Sequence, residues 1–183
     1  MKNNIILSLT ILLFLGACSS KQLYTFGDTT HIKESRKSRE FIAVEKVELP
    51  SYFLDSPIYR KKTPYHLEKI DNANWIGSID KHLTRVVISY LEKSMNNPNI
   101  YSYPWSDIDH FDKKVSITIT KFIAYKNIVS LEANYQILYK NKKMTSNYFF
   151  NTKEIIKGKN IEYMLDAMEK AYFKLIENIN LKL

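Results

Sequence analysis

Alternating apolar and polar residues mark the strands of this chain. The alternation covers residues 115–120 and 129–139, where every second residue is apolar. A period of two predicts strands with one buried face. Residues 41–49 read as an earlier strand, which Pro50 ends because proline lacks the N–H that a sheet requires.

Apolar residues at helical spacing predict two amphipathic helices, over residues 78–95 and 160–180. Turn-forming residues at 126–127 and 140–143 join the two clear strands and a following strand, 144–151, into a three-stranded meander. The order is strand, irregular segment, helix, short strand, meander, helix. It predicts a single α/β (α+β) domain, with both helices packed on a mixed, mostly antiparallel sheet.

The chain begins with an apolar run of a different kind. Lys2 precedes residues 5–15, which are apolar apart from Ser8 and Thr10. The run is shorter than the roughly 20 residues that span a bilayer, and it ends in small residues. Residues 1–17 are therefore predicted to be a signal peptide.

Cys18 is the only cysteine in the chain. The preceding Leu-Gly-Ala resembles the bacterial lipobox, which implies a lipoprotein with an S-diacylglycerol group and an N-acyl (palmitate) chain on Cys18. The alternative is a buried cysteine that happens to follow an apolar helix. No other cofactor is expected. More than one acyl chain anchors a protein firmly, and Ser19 in place of aspartate points to the outer membrane, with the domain facing the periplasm.

Residues 18–40 are rich in Ser, Thr and Lys and are predicted to be a flexible, lipidated tether for a domain of residues 41–183. The chain carries a formal net charge of +8, with basic clusters at residues 60–62, 140–143 and 153–159. An exported lipoprotein meets little nucleic acid, so its anionic neighbours are lipid headgroups and acidic proteins. The clusters are either a solvated surface or a docking surface.

Candidate catalytic chemistry is sparse. Only the segment 107–112, Asp-Ile-Asp-His-Phe-Asp, gathers acidic and imidazole groups, and a polar loop between a short strand and the meander is the favoured explanation, since the spacing matches no metal-binding loop. With four glycines in the chain, a phosphate-cradling loop is not expected. Aromatic residues crowd the irregular segments, where they either cap the sheet or line an interface.

Several segments in order resemble the ABC-type transport auxiliary lipoproteins, the family of paraquat-inducible protein C. They are LYTF (23–26), IAVEKVELPSYFLDSPIYR (42–60), NWIGSIDKHLTRVVISYLEKSM (74–95), PW (104–105), VSITITKF (115–122), VSLEANYQI (129–137) and YMLDAMEKAYFKLIENI (163–179). The spacing around Leu54 departs from the family by about one residue. Ser78 stands where the family places a proline, and serine can serve as a helix N-cap.

The resemblance implies a non-enzymatic component of an intermembrane lipid transport system that contains an MCE-domain protein. It also implies a homo-oligomer with no catalytic or metal site. On this basis we expect the MCE partner to contact the loops around Pro50 to Arg60 and Trp75. The residues expected to take part are Pro50, Tyr52, Leu54, Arg60, Trp75, Pro104 and Trp105.

Two other classes of function stay open from the sequence. A structural lipoprotein of another envelope machine, of the pilotin or secretion-system type, would show the same anchor and a similar domain. An envelope hydrolase or metal-dependent enzyme would need Asp109 and His110 beside a further polar group in a pocket.

Overall fold

The computed structural model describes residues 21–104 and 110–183. The predicted signal peptide, Cys18, Trp105 and Asp109 lie outside these residues. Eight strands form one sheet: β1 (Gln22–Tyr24), β2 (Ile42–Glu45), β3 (Pro57–Lys61), β4 (Leu67–Trp75), β5 (Ile100–Tyr103), β6 (Lys113–Tyr125), β7 (Ile128–Tyr139) and β8 (Met144–Ile155). The helices are α1 (Ser51–Leu54), α2 (Ile79–Met95) and α3 (Ile161–Asn180).

Strand β6 is the axis of the sheet. On one side it pairs with β7, and β7 pairs with β8, which gives the antiparallel meander that the alternation predicts. On the other side, β2 lies parallel to the start of β6 and β3 reaches its last residue. Strand β5 extends the sheet beyond β2, whereas β4 and then β1 extend it beyond β3. The sheet is open, and the predicted α/β class is confirmed.

The helices cover one face of the sheet. Along β7, Val129, Leu131, Ala133, Tyr135 and Ile137 are buried and alternate with polar residues on the opposite face. This is the usual pattern of an antiparallel sheet with one packed face and one solvated face. No helix in the described ranges is long and apolar enough to cross a bilayer.

Both long helices match their predicted ranges to within one residue. Ser78 lies at the N-cap position of α2, as expected. However, its hydroxyl donates to the carboxylate of Asp80 instead of accepting a backbone N–H, so Ser78 itself does not cap this helix. At the start of α3, by contrast, the Asn160 side chain accepts the N–H of Tyr163 at 3.1 Å.

The segment between Pro50 and α2 is more regular than the sequence suggests. It contains α1 and the antiparallel pair β3 and β4. This hairpin escapes a pattern analysis because few of its residues are buried and its burial does not follow a clean period of two. The predicted strand 41–49 is also shorter than expected, because the ladder of β2 ends at Glu45 and only Glu48 bridges to Thr118 beyond it.

Residues 21–40 do not form the flexible coil that we expected of them. Strand β1 pairs in parallel with the end of β4. Residues 26–38, which we call the N-terminal strap, then run along both long helices. Along this course the backbone N–H of Ser35 donates to Ser94 in α2 at 2.8 Å, and the Arg36 guanidinium donates to the carbonyl of Asn180 in α3 at 2.9 Å.

The strap begins with Phe26, which is 6% exposed and enters the core. Its ring makes edge contacts with Trp75, Phe122 and Tyr172 at centroid distances of 5.7, 6.0 and 6.2 Å. Gly27 follows with φ of +102°, and a Cβ there would lie 2.5 Å from a methyl group of Val86. Only glycine therefore allows the strap to leave the core so close to α2.

The structure predicts that Phe26→Ala destabilises the whole domain, although the residue lies within the predicted tether. Truncation of a buried phenylalanine costs about 3–5 kcal/mol, because apolar area is lost and a cavity remains. Urea denaturation of the purified protein measures the change in the free energy of unfolding.

Leu23→Ala is the matched control for this substitution, since Leu23 lies in the same segment but is 60% exposed. It should change stability by no more than about 0.5 kcal/mol. Equal, small effects of both substitutions would contradict the docking of this segment.

Candidate functional site

The described residues that were expected to contact a partner lie in separate environments, and Trp75 belongs to the core. It is 3% exposed, and Phe53 stacks on its ring at a centroid distance of 5.6 Å. Phe26 covers another part of the ring. Trp75 is therefore too buried to contact a partner, and its role is to hold the neighbouring side chains in position.

Pro50 and Tyr52 hold α1 in place. The carbonyl of Pro50 accepts the N–H of Phe53 at 2.9 Å, which starts the single helical turn. The hydroxyl of Tyr52 accepts the N–H of Phe122 at 3.1 Å, next to the register shift between Ile119 and Lys121 in β6. Burial raises the pKa of Tyr52, so the phenol stays neutral at physiological pH.

Leu54 is exposed and belongs to an apolar patch. We define this patch as Leu23, Leu54 and Ile76, which are 60%, 61% and 52% exposed. All three lie around the carboxyl end of β4. Leu23 is the register partner of Asn74, and Ile76 directly follows the strand. Leu54 lies two residues before Ser56, and the carbonyl of Ser56 accepts the Trp75 N–H at 2.7 Å.

An ion pair between a half-exposed lysine and a nearly buried aspartate ties the segment after β2 to the start of α2. The ammonium group of Lys46, which follows β2, contacts the carboxylate of Asp80 at the start of α2. Burial alone would raise the pKa of Asp80, but hydrogen bonds from Lys46, from Ser78 and from the Lys81 backbone N–H lower it to about 2. The ion pair is therefore charged throughout the physiological pH range.

Arg60 lies in a different environment, a basic groove at the end of the sheet where β3 and β6 terminate. The groove has a volume of about 880 Å³ and lies between the β3–β4 hairpin, the β6–β7 turn and the loop before α3. Its floor includes the apolar residues Ile70, Ile156, Ile161 and Met164. Six basic and two acidic side chains line it: Arg60, Lys61, Lys62, Lys69, Lys126, Lys159, Glu68 and Asp71.

Within the groove, Glu68 neutralises two of the cations. Its carboxylate lies 3.3 Å from the ammonium of Lys62 and 3.1 Å from the guanidinium of Arg60. Hydrogen bonds from Lys62 and Arg60 lower the pKa of Glu68. Among the residues described, no carboxylate forms an ion pair with the remaining lysines of the groove, so a positive excess stays open to solvent.

Pro104 lies apart from both surfaces, after β5, and the Tyr103–Pro104 peptide bond is cis. The structure therefore does not bring the predicted partner residues together. His110 packs its ring against Phe41 at 5.3 Å and its carbonyl accepts the Tyr101 hydroxyl. In the ranges 21–104 and 110–183, no group of three His, Cys, Asp or Glu residues is arranged to hold a metal ion.

Sequence reasoning noticed the charge clusters at 60–62 and 153–159 but did not place them together. The β3–β4 hairpin, which the sequence pattern did not reveal, carries residues 60–62 to the groove that Lys159 also lines. Sequence reasoning missed the apolar patch because its three residues are far apart in the sequence, and the residues around each of them show no distinctive pattern.

Comparison with solved structures shows the same fold in other proteins. A crystal structure of an uncharacterised protein superposes with a TM-score of 0.72 at 13% identity, covering 90% of this chain and 99% of that one. A crystal structure of a protein from Xanthomonas campestris gives a TM-score of 0.67 at 15% identity, covering 88% and 90%. No curated protein matches the sequence.

The family model for the ABC-type transport auxiliary lipoprotein component matches residues 24–180. The match begins within β1 and ends at the last residue of α3, so it includes the strap, both long helices and the whole sheet beyond Leu23. It thus takes in the segment that we expected to be a tether. The chain belongs to the ABC-type transport auxiliary lipoprotein family.

Proposed function

We propose that this protein is a lipoprotein of the outer membrane, anchored through acyl chains on Cys18 with its domain in the periplasm. It acts there as a non-enzymatic accessory component of an MCE-containing, ABC-type intermembrane lipid transport system. The observation that carries this proposal is the family match over residues 24–180. The lipobox-like Leu-Gly-Ala-Cys at residues 15–18 supports the anchor.

The apolar patch is the surface that we assign to the MCE partner. Its three side chains are large and aliphatic, and each exposes more than half of its area. Apolar side chains grouped on a folded surface are a common mark of protein interfaces. The patch also lies on a rigid base, because Phe53, Trp75 and the Lys46–Asp80 ion pair hold the backbone beneath it.

This assignment keeps Leu54 of the expected contact residues and changes the role of others. Pro50, Tyr52 and Trp75 act by fixing α1 and the end of β4. Arg60 belongs to the basic groove at the opposite end of β4. Pro104 and Trp105 remain proposed contacts of the same partner.

We predict that Leu54→Ser weakens association with the MCE-domain protein encoded by the same cell by about tenfold or more. Burial of a leucine side chain contributes about 1.5–3 kcal/mol, and each 1.4 kcal/mol changes affinity tenfold. Pull-down of the purified lipoprotein, followed by titration in detergent, measures the effect.

Leu181→Ser is the matched control, since this leucine is 74% exposed but lies after α3, away from the patch. It should bind like the wild type. If the wild type does not associate with the MCE protein, the transport assignment fails. If the wild type associates and Leu54→Ser binds equally well, only the surface assignment fails.

The proposal includes self-association as a homo-oligomer. Among the residues that the structure describes, strand β8 pairs only with β7, so one edge of its 12 residues has no neighbouring strand there. Phe149 and Ile155 on this strand are 62% and 68% exposed. An open edge with apolar side chains favours pairing with another chain. Light scattering tests this part, and a monomeric mass at micromolar concentration would contradict it.

A further inference from the structure

We infer that the basic end of the domain rests on the anionic surface of the membrane that holds the Cys18 lipid. The basic end comprises the β3–β4 hairpin, the β6–β7 turn and the loop before α3, which together line the basic groove. The ligand is the phosphate layer of anionic phospholipid headgroups. This inference rests on the lipidation of Cys18 in the proposed function.

The first argument is the short distance between the anchor and the sheet. Because β1 starts at Gln22, only three residues separate Cys18 from the first strand. Four residue steps extend to at most about 14 Å. The domain therefore lies directly at the headgroups and does not hang from a long tether.

The second argument is the direction of β1. It runs parallel to β4, with Gln22 beside Ala73. The amino end of β1 therefore points along β4, towards Leu67 and the hairpin that carries Lys61 and Lys62. That stretch of β4 spans about 20 Å at 3.3 Å per residue. The described chain therefore enters the sheet from the side of the basic end.

The third argument is the chemistry of the basic end. Its groove has a formal excess of four positive charges, six basic against two acidic side chains. A basic side chain at an anionic leaflet strengthens membrane binding by about fivefold. Tyr65 projects from the hairpin with 98% of its surface exposed, and tyrosine suits the boundary between headgroups and acyl chains.

A second basic cluster serves as an internal comparison. Lys140, Lys142 and Lys143 lie in and beside the β7–β8 turn, at the opposite end of the sheet. Strand β7 separates that turn from Lys126 by about 37 Å, at 3.4 Å per residue. Because both ends of the sheet are basic, positive charge alone does not decide which end faces the membrane. The short link between Cys18 and β1 decides it. The far cluster points away from the membrane.

The experiment uses the full lipidated protein, purified from membranes and reconstituted into phosphatidylcholine vesicles with or without phosphatidylglycerol. An amine-reactive reagent then labels the lysines, and mass spectrometry gives the rate at each site. We expect Lys62, Lys126 and Lys159 to react several-fold more slowly in the anionic vesicles than in the neutral ones. Lys142 and Lys143 should react equally in both.

The protection should disappear at about 1 M salt, where the Debye length is about 3 Å. The double variant Lys126→Glu/Lys159→Glu should lose the protection of Lys62. The double variant Lys142→Glu/Lys143→Glu has the same net charge and should keep it. Equal labelling of Lys62 in neutral and anionic vesicles, or equal effects of the two variants, would overturn the inference.

The intact mass of the purified protein separates this inference from the proposed function on which it rests. A mass that lacks the acyl groups on Cys18 would refute the anchor itself. A lipidated protein without protection at the basic end would refute only the orientation. Protection of the β7–β8 turn in place of the basic end would show that the domain is inverted.

Discussion

The insertion of Phe26 into the aromatic centre of the core fixes residues 21–25, the described part of the chain that precedes it. Its ring meets Trp75 from β4, Phe122 from β6 and Tyr172 from α3, so one side chain ties the N-terminal segment to the sheet and to a helix. Burial of a phenylalanine provides enough free energy to order a short segment, and Gly27 lets the chain leave without a clash. Once Phe26 is docked, β1 is held beside β4 and the strap along the helices.

This constraint gives the domain a definite relation to the proposed lipid anchor at Cys18. A flexible tether would leave the orientation open, whereas a link of three residues between Cys18 and β1 restricts it. The two surfaces described above then lie at opposite ends of β4. The basic groove lies at the amino end, towards which β1 leads back, and the apolar patch surrounds the carboxyl end. One end suits a charged membrane surface and the other suits a protein partner.

The sequence predicts best those elements whose burial is periodic. Both long helices have one clear apolar face, and their bounds follow from it. Alternation locates the strands of the meander, but β6 and β8 extend beyond the predicted ranges. Strands β3 and β4 form an edge hairpin with few buried residues, so no period appears. The strap has the composition of a linker, and the contacts that order it, from Phe26 to the core and from Ser35 and Arg36 to the helices, join residues distant in sequence. The apolar patch and the basic groove could not be predicted for the same reason, since tertiary contacts bring their residues together from distant parts of the sequence.

The central claim is that residues 21–40 are part of the fold. Hydrogen exchange of the lipidated protein, followed by mass spectrometry, tests it most directly. The account predicts slow exchange for the amides of Ser35 and Ser38, which donate to Ser94 and Met95 at 2.8 and 3.0 Å, and comparable protection in β1. Exchange of these amides at the rate of an unstructured chain would contradict the account.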